Sequence, residues 1–333
     1  MTGMMEAVRF HAAGDLRHER VPRPTGPGPG EVRVRIAAAG ICGSDLHVAR
    51  TGAYITRTPV IMGHEFAGEI LELGQGVAGL SPGDHVVGDS RVACGQCGYC
   101  RQNLPNLCDR LGFLGEVRDG AFAEEIVLGA SRLVKIDQAV PWAVAALAEP
   151  LAVARHALSQ ARPSPSTRTL ILGAGPIGAL IHQLTLLEGV KKVTVHDASA
   201  YRRRLLAQAR PGSVAEPSGH YDLVFETTGS GRVLAEVVPA VLRKKGTLVM
   251  VGLFGAKVSF NFNLVVENEW TVQGCAAFSS ELPEAARILG DHYELFDHVV
   301  SHRIPLREYQ TAFDTLFKPE KQALKIVFQP DLK

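Results

Sequence analysis

The sequence predicts an α/β protein that joins a barrel-like β domain to a second domain with a doubly wound parallel sheet. Three observations support this: the length, a change of sequence texture near residue 150, and a glycine-rich motif between a predicted strand and a predicted helix. The length of 333 residues corresponds to about two domains of ordinary size. We expect 1–153 to form the first domain, to which 292–333 returns, and 154–291 to form the second.

The first 150 residues are typical of short strands separated by turns. Strands are predicted at 32–37, 65–73 and 84–87, and runs rich in glycine and proline at 27–30 and 81–84 interrupt them. This pattern predicts a compact barrel-like domain with long loops.

The rest of the chain alternates helices with buried strands. A helical stretch occupies 142–160, and apolar runs typical of parallel strands follow it. These runs are 169–172, 192–196, 222–226, 247–251 and 270–274. A last strand is predicted at 324–328, and the alternating segment 258–266 is either an edge strand at a dimer interface or an ordinary covered edge.

Four cysteines form a cluster with the spacing C-x2-C-x2-C-x7-C: Cys94, Cys97, Cys100 and Cys108. Four thiolates in one loop satisfy a tetrahedral Zn²⁺ ion, and a site filled by four protein ligands is structural rather than catalytic. The alternative is two disulfides, although nothing in the chain suggests export. We expect a structural zinc here.

The glycine-rich motif predicts a dinucleotide site. The predicted strand 169–172 leads into Gly173-Ala174-Gly175-Pro176-Ile177-Gly178, and a helical run follows. The glycines allow a tight turn and a close approach of a pyrophosphate, to which the helix N-terminus offers free N–H groups. The next strand ends at Asp197, whose carboxylate suits a ribose 2′-hydroxyl and repels a 2′-phosphate. NAD is therefore predicted over NADP, unless Arg202 or one of the two arginines after it turns toward the cofactor.

A second metal site is predicted in the first domain. Cys42 lies in a short loop, and His64 and Glu65 follow Gly63 just before a predicted strand. A thiolate, an imidazole and a carboxylate that leave one position open are typical of catalytic zinc. Taken singly, Cys42 and His64 are also typical core residues.

The composition sets limits on partners and location. A net charge of +1 gives no reason to expect nucleic acid or a membrane surface as a partner. We find no signal peptide in 1–10 and no apolar run of about 18 residues, so a cytoplasmic protein is expected.

Together these motifs resemble the zinc-dependent medium-chain dehydrogenases over essentially the whole chain. The resemblance rests on 63–65, 42–45, the four-cysteine loop, 149–153 and 173–178. It implies a GroES-like catalytic domain and a Rossmann domain. The stretches 148–157 and 278–281 are most similar to the polyol branch, which includes sorbitol dehydrogenase and L-idonate 5-dehydrogenase.

The resemblance implies a role for each matching residue. Cys42 and His64 bind the catalytic zinc, and Glu65 and Glu149 ligate it directly, through water or in alternation. Asp45 orients His64. Ser44 takes the proton from the substrate hydroxyl and His47 passes it toward solvent. The implied cofactor contacts are Gly173, Gly175, Pro176, Ile177, Gly178, Asp197 and Arg202.

The chain departs from the branch at three places. Ala277 stands where the branch usually presents an arginine to the substrate, and Arg118 is a candidate replacement. The loop 112–120 is short, and 207–221 leaves little room for a helix of the second domain.

These observations predict a zinc-dependent enzyme that oxidises a secondary alcohol to a ketone with NAD. The expected substrate is a polyol, sugar acid or cyclitol, and the alternatives are a butanediol- or threonine-type alcohol or a non-catalytic NAD-binding protein. Two zinc ions per chain and a homo-oligomer, a dimer or tetramer, are also expected.

Overall fold

The computed structural model describes residues 3–318 and 322–331, which form two compact units. Among the described residues, the first unit comprises 3–149, 282–318 and 325–331, and the second 150–281 and 322–324. The domain limits predicted from the sequence stay a prediction. No helix in the described part of the chain has the length and apolar character needed to cross a membrane.

The first unit consists mainly of antiparallel strands. Its strands are β1 (Met4–Ala12), β2 (Asp15–Pro22), β3 (Glu31–Gly40), β4 (Val60–Ile61), β5 (Glu65–Leu73), β6 (His85–Gly88), β7 (Arg91–Val92), β8 (Gly112–Phe113), β9 (Glu125–Gly129), β10 (Leu133–Lys135), β16 (Val300–Ile304) and β17 (Lys325–Phe328). Its helices are α1 (Gly43–Thr51), α2 (Gly98–Arg101), α3 (Trp142–Ala145), α9 (Leu282–His292) and α10 (Tyr309–Phe317), and helix α4 (Ala148–Ala161) begins in it.

The main sheet of the first unit has the order β10-β6-β5-β3-β17-β16, and β9 also pairs with β3. β3 and β5 run antiparallel from Val32 opposite Leu73 to Gly40 opposite Glu65. On its other side Gly40 lies opposite Val327 of β17. A Cβ atom at Gly40 would lie 2.2 Å from Glu65 Oε2, so the glycine leaves room for this side chain. The register thus brings the start of β5 and the start of β17 to the same end of β3.

The second unit contains the parallel sheet that the sequence predicts. Its strands are β11 (Arg168–Leu172), β12 (Lys192–His196), β13 (Tyr221–Glu226), β14 (Leu242–Met250) and β15 (Thr271–Gly274), in the order β12-β11-β13-β14-β15. Its helices are α5 (Pro176–Leu187), α6 (Ala200–Ala209), α7 (Val238–Val241) and α8 (Asn263–Glu267). Leu170 and Ile171 of β11 are both buried, and so are their partners Val224 and Phe225 of β13. Since successive side chains of a strand point to opposite faces, the sheet is covered on both faces.

The prediction of a strand at 258–266 is wrong. Residues 258–262 form no strand, and α8 begins at Asn263. The side chain of Asn261 accepts a hydrogen bond from the backbone N–H of Asn263 at 3.1 Å, which favours a turn over an extended chain. The alternation of apolar and polar residues therefore does not reflect strand pairing.

We predict that Phe328→Ala strongly destabilises the protein. Phe328 is fully buried, and its ring contacts that of Phe122 edge-on with centroids 5.0 Å apart. Removing it should lower the free energy of unfolding by about 3–5 kcal/mol through lost burial and the resulting cavity. Chemical denaturation measures this, with Tyr54→Ala as the control because Tyr54 is an aromatic residue that is 60% exposed. Equal stability of both variants would contradict the assigned core.

Candidate active site and metal centres

Three potential metal ligands meet in the first unit: Cys42, His64 and Glu65. Their ligand atoms all lie within 4.8 Å of one another. Cys42 precedes α1, and His64 and Glu65 stand at the start of β5. Gly63, just before them, has φ +89°, a conformation that favours glycine and turns the chain into the strand.

A buried lysine accompanies this cluster. Lys325 Nζ lies 2.7 Å from Glu65 Oε1 and 2.5 Å from Oε2, and it also donates to the backbone oxygen of Ile41 at 2.9 Å. The two side chains of the pair are 2% and 1% exposed. Burial alone lowers the pKa of Lys325, but the charges of Glu65 and Cys42 outweigh it and raise the pKa above the usual value. Lys325 is therefore charged, and it holds Glu65 in place.

Asp45 links the cysteine to the histidine. Its Oδ2 accepts a hydrogen bond from the Cys42 backbone N–H at 2.8 Å, and its Oδ1 lies 3.7 Å from His64 Nδ1. Burial raises the pKa of Asp45. Burial lowers the pKa of His64, but the negative charges of Asp45 and Cys42 raise it well above the ordinary value. These groups thus create a buried environment that favours a cation.

Glu149 lies outside the group of three but interacts electrostatically with His64. Near the start of α4, it accepts a hydrogen bond from Ser90 Oγ at 2.6 Å. Burial raises its pKa to about 7. The two carboxylates near His64 therefore differ: Lys325 neutralises Glu65, whereas a hydroxyl donor faces Glu149.

Ser44 and His47 lie on α1, beyond Cys42. Ser44 is half-buried, and His47 is exposed with its ring centroid 6.0 Å from that of Tyr54. Neither belongs to the group of potential ligands around Cys42.

The donor set fits zinc. A thiolate, an imidazole and a carboxylate are ligand types that Zn²⁺ prefers, and the negative groups that raise the pKa of His64 would also attract a cation. Cys42, His64 and Glu65 would hold the ion.

The four cysteines at positions 94, 97, 100 and 108 form a second group whose sulfur atoms all lie within 4.8 Å of one another. None of them is in a disulfide, which favours the metal site over the disulfide alternative. Backbone N–H groups point at the sulfurs: Cys108 Sγ accepts from Cys94 and Arg110 at 3.2 and 3.3 Å. Hydrogen bonds from the amides of Gln96 and Cys97 help to lower the pKa of Cys94 to about 6, so a thiolate is favoured. The loop can hold a structural zinc.

We predict that Cys97→Ser removes one of the two metal sites. The variant should bind about one zinc ion fewer per chain and unfold at a lower temperature, because a structural zinc contributes to folding. Metal analysis and thermal unfolding measure both effects, and Cys275→Ser, which changes a cysteine outside the cluster, is the control. Unchanged zinc content in Cys97→Ser would contradict the assignment.

The glycine-rich loop of the second unit joins β11 to α5. Gly173 has φ +107°, and a Cβ at Gly178 would lie 1.9 Å from the Gly173 backbone oxygen. Gly175 is the N-cap of α5 and Pro176 is its first residue, with Ile177 next. The helix begins with free N–H groups at this turn, as a pyrophosphate site requires.

Asp197 follows β12 and contacts the same turn. Its two carboxylate oxygens accept hydrogen bonds from the backbone N–H groups of Ala174 and Ser199, both at 2.7 Å. Arg202 lies beside the turn, with Nη1 3.6 Å from the position of a Cβ on Gly175, while its Nε donates to the Ala323 oxygen at 3.2 Å. The carboxylate is therefore placed at the end of the strand that the fold uses to bind the ribose.

We predict that Gly178→Ala weakens NADH binding at least about tenfold. The new methyl group would meet the Gly173 carbonyl and push helix α5 away from the turn. Fluorescence titration with NADH measures the affinity. The control is Gly274→Ala in β15, where a Cβ meets nothing within 4 Å. Equal affinities for both variants would show that this turn does not hold the cofactor.

Comparison with known proteins identifies the family. The model of the alcohol dehydrogenase GroES-like domain matches residues 28–138, and that of the glucose dehydrogenase C-terminus matches 142–328. The chain belongs to the zinc-dependent medium-chain dehydrogenases. The resemblance seen in its motifs is therefore confirmed.

Individual relatives cover nearly the whole chain. A sorbitol dehydrogenase of Halalkalibacterium halodurans is 30% identical, with 96% of this chain and 97% of the relative aligned. An L-threonine 3-dehydrogenase of Pyrococcus furiosus is 32% identical, with 95% of each aligned. An alcohol dehydrogenase of Escherichia coli CFT073, solved with NADH, superposes with a TM-score of 0.88 at 26% identity, covering 98% of this chain and 99% of its own.

The sequence did not identify three residues near the cluster: Lys325, Ser90 and Glu116. A lysine inside the apolar run 323–328 was a usable signal, because a charged residue in a buried strand needs a partner. Ser90 and Glu116 carry no such signal, since loops are generally polar.

Proposed function

We propose that this dehydrogenase oxidises a secondary alcohol of a polyol, sugar acid or cyclitol to the ketone and transfers the hydride to NAD. The observation that supports it most is the Cys42–His64–Glu65 cluster, which occurs in one chain with a nucleotide-binding turn. The similarity to a sorbitol dehydrogenase supports the polyhydroxylated substrate.

We infer the roles of the residues from the family resemblance together with the contacts described above. Cys42, His64 and one or both of Glu65 and Glu149 would hold the zinc, which supplies a Lewis acid that makes a hydroxyl more acidic. Asp45 orients His64, Lys325 fixes Glu65, and Ser90 fixes Glu149.

The proton leaves through α1 in this proposal. Ser44 accepts it from the substrate hydroxyl, and His47, which is exposed, passes it to solvent. NAD supplies the hydride acceptor. The cofactor would be bound by the turn residues Gly173, Gly175, Pro176, Ile177 and Gly178. Asp197, with Arg202 beside it, would bind the ribose hydroxyls.

A butanediol- or threonine-type alcohol is the second candidate. Ala277 offers no cation to a polyhydroxylated or acidic substrate, and Arg118 is exposed. The similarity to a threonine dehydrogenase favours this alternative.

We further propose that the protein works in the cytoplasm as a homo-oligomer, a dimer or tetramer. Large apolar side chains are exposed on the second unit, at Leu253, Phe262, Val266 and Val272. Large apolar side chains left exposed in this way supply apolar area that a second chain could cover.

The test is NADH formation with a panel of polyols, aldonic acids, cyclitols, 2,3-butanediol and threonine, with and without a chelator and with NADP as a second cofactor. We predict chelator-sensitive activity on one polyhydroxylated class and a preference for NAD. His64→Ala should lower kcat/KM at least about a thousandfold and leave NADH binding within about twofold, since the ring belongs to the metal cluster and not to the cofactor turn.

The matched control is His292→Ala, which removes an imidazole outside the metal cluster. Activity confined to butanediol or threonine would support the second candidate. Full activity of His64→Ala would contradict the catalytic role of the cluster.

A further inference from the structure

The loop 112–120 carries a buried carboxylate that interacts electrostatically with His64 of the metal cluster. Glu116 is only 8% exposed, although it lies in a loop between β8 and β9. The loop is fastened to the residues just before His64: Gly120 N–H donates to the Ile61 oxygen at 2.8 Å, and Ala121 N–H to the Gly63 oxygen at 2.9 Å. The position of Glu116 is therefore tied to that of the potential ligands.

The loop also contacts Ser90, which binds Glu149, and the ring of His64. Leu114 N–H donates to the backbone oxygen of Ser90 at 2.9 Å, and the Ser90 side chain holds Glu149. The ring of Phe113 lies 6.0 Å from that of His64. The loop thus borders the cluster both at His64 and at Ser90.

No salt bridge involves Glu116 in the described part of the chain. Its carboxylate accepts a hydrogen bond from the Phe113 backbone and interacts electrostatically with His64 and Asp45. The other two charges of the loop face elsewhere: Asp119 pairs with Arg57 at 2.8 Å, and Arg118 is exposed. Burial raises the pKa of Glu116 to about 7, and the charge of His64 offsets this rise only in part.

Acidic groups outnumber basic ones around the cluster. They are Cys42, Asp45, Glu65, Glu149 and Glu116, while Lys325 neutralises Glu65. Above pH 7, where Glu149 and Glu116 are mostly ionised, the remaining four groups carry more negative charge than the two positive charges of a zinc ion can balance. A substrate that brings its own carboxylate would meet further repulsion at Glu116.

We propose that Glu116 is a specificity-determining residue that disfavours carboxylate-bearing substrates and accepts hydrogen bonds from the hydroxyls of neutral ones. This inference rests on the proposed function and narrows it, since it selects neutral polyols and cyclitols over sugar acids. The sequence agrees with this, since Ala277 stands where the polyol branch usually presents an arginine.

The decisive experiment compares two ligands of the same shape, butyrate and butyramide, which differ in charge. Their binding to the zinc-loaded protein with saturating NAD is measured by calorimetry at about pH 9, where the carboxyl of Glu116 is ionised. Glu116→Gln keeps the shape of the side chain and removes the charge. We expect it to improve the affinity for butyrate relative to butyramide about tenfold.

The control is Asp119→Asn in the same loop, which should leave this ratio unchanged because the Asp119 charge is exposed and already paired. Glu116→Ala serves as a second variant if Glu116→Gln does not fold. A ratio within about twofold of the wild type in the folded Glu116 variant would overturn the proposal.

Measurements of turnover distinguish a failure of the role proposed for Glu116 from a failure of the proposed dehydrogenase function. With sorbitol and gluconate as the pair, Glu116→Gln should raise kcat/KM for gluconate relative to sorbitol about tenfold. Turnover with an unchanged ratio would count against Glu116 alone. Absence of NADH formation with every polyhydroxylated substrate would count against the proposed function, and the ligand pair would then decide the role of Glu116.

Discussion

Lys325 and Glu65 form a buried ion pair at the point where strands from distant parts of the sequence meet. Breaking such a pair costs about 3–5 kcal/mol, because it leaves one charge buried and unpaired. The pair is possible because Gly40 of β3 leaves space for the Glu65 side chain, and because β17 adds to the same strand. It joins the end of the chain to the start of β5, which also carries His64.

Hydrogen bonds and charges from neighbouring side chains hold the other potential ligands near this pair. Asp45 binds the Cys42 backbone and faces His64, while Ser90 binds Glu149. Each potential ligand therefore has a partner that limits its orientation, as metal sites require. The buried acids outnumber the buried cation, so the arrangement is more stable with a metal ion than without one.

The sequence predicted the two groups of potential metal ligands, the cofactor turn and several strands, because their signals are local. The four-cysteine loop, the glycine-rich turn and the strands β5 and β12 each depend on residues close together in the chain. The difference between a β domain near the start of the chain and a domain with a parallel sheet followed from the turn-forming residues and the apolar runs of the sequence.

What the sequence did not reveal depends on contacts between distant segments. Lys325 reaches Glu65 across 260 positions, and Ser90 reaches Glu149 only through the folded chain. Glu116 differs from other loop acids only in its burial. The segment 258–266 has strand-like alternation, but the local bond from Asn261 favours a turn and helix.

We infer that one chain binds two zinc ions of different coordination. Zinc K-edge X-ray absorption, together with metal analysis of the wild-type protein, measures the number of ions and their ligands. We expect two ions per chain and an average of about 2.5 sulfur ligands per ion, since one site has four thiolates and the other has one with nitrogen and oxygen ligands. A single ion surrounded by about four sulfurs would contradict the mixed-ligand site at Cys42 and His64.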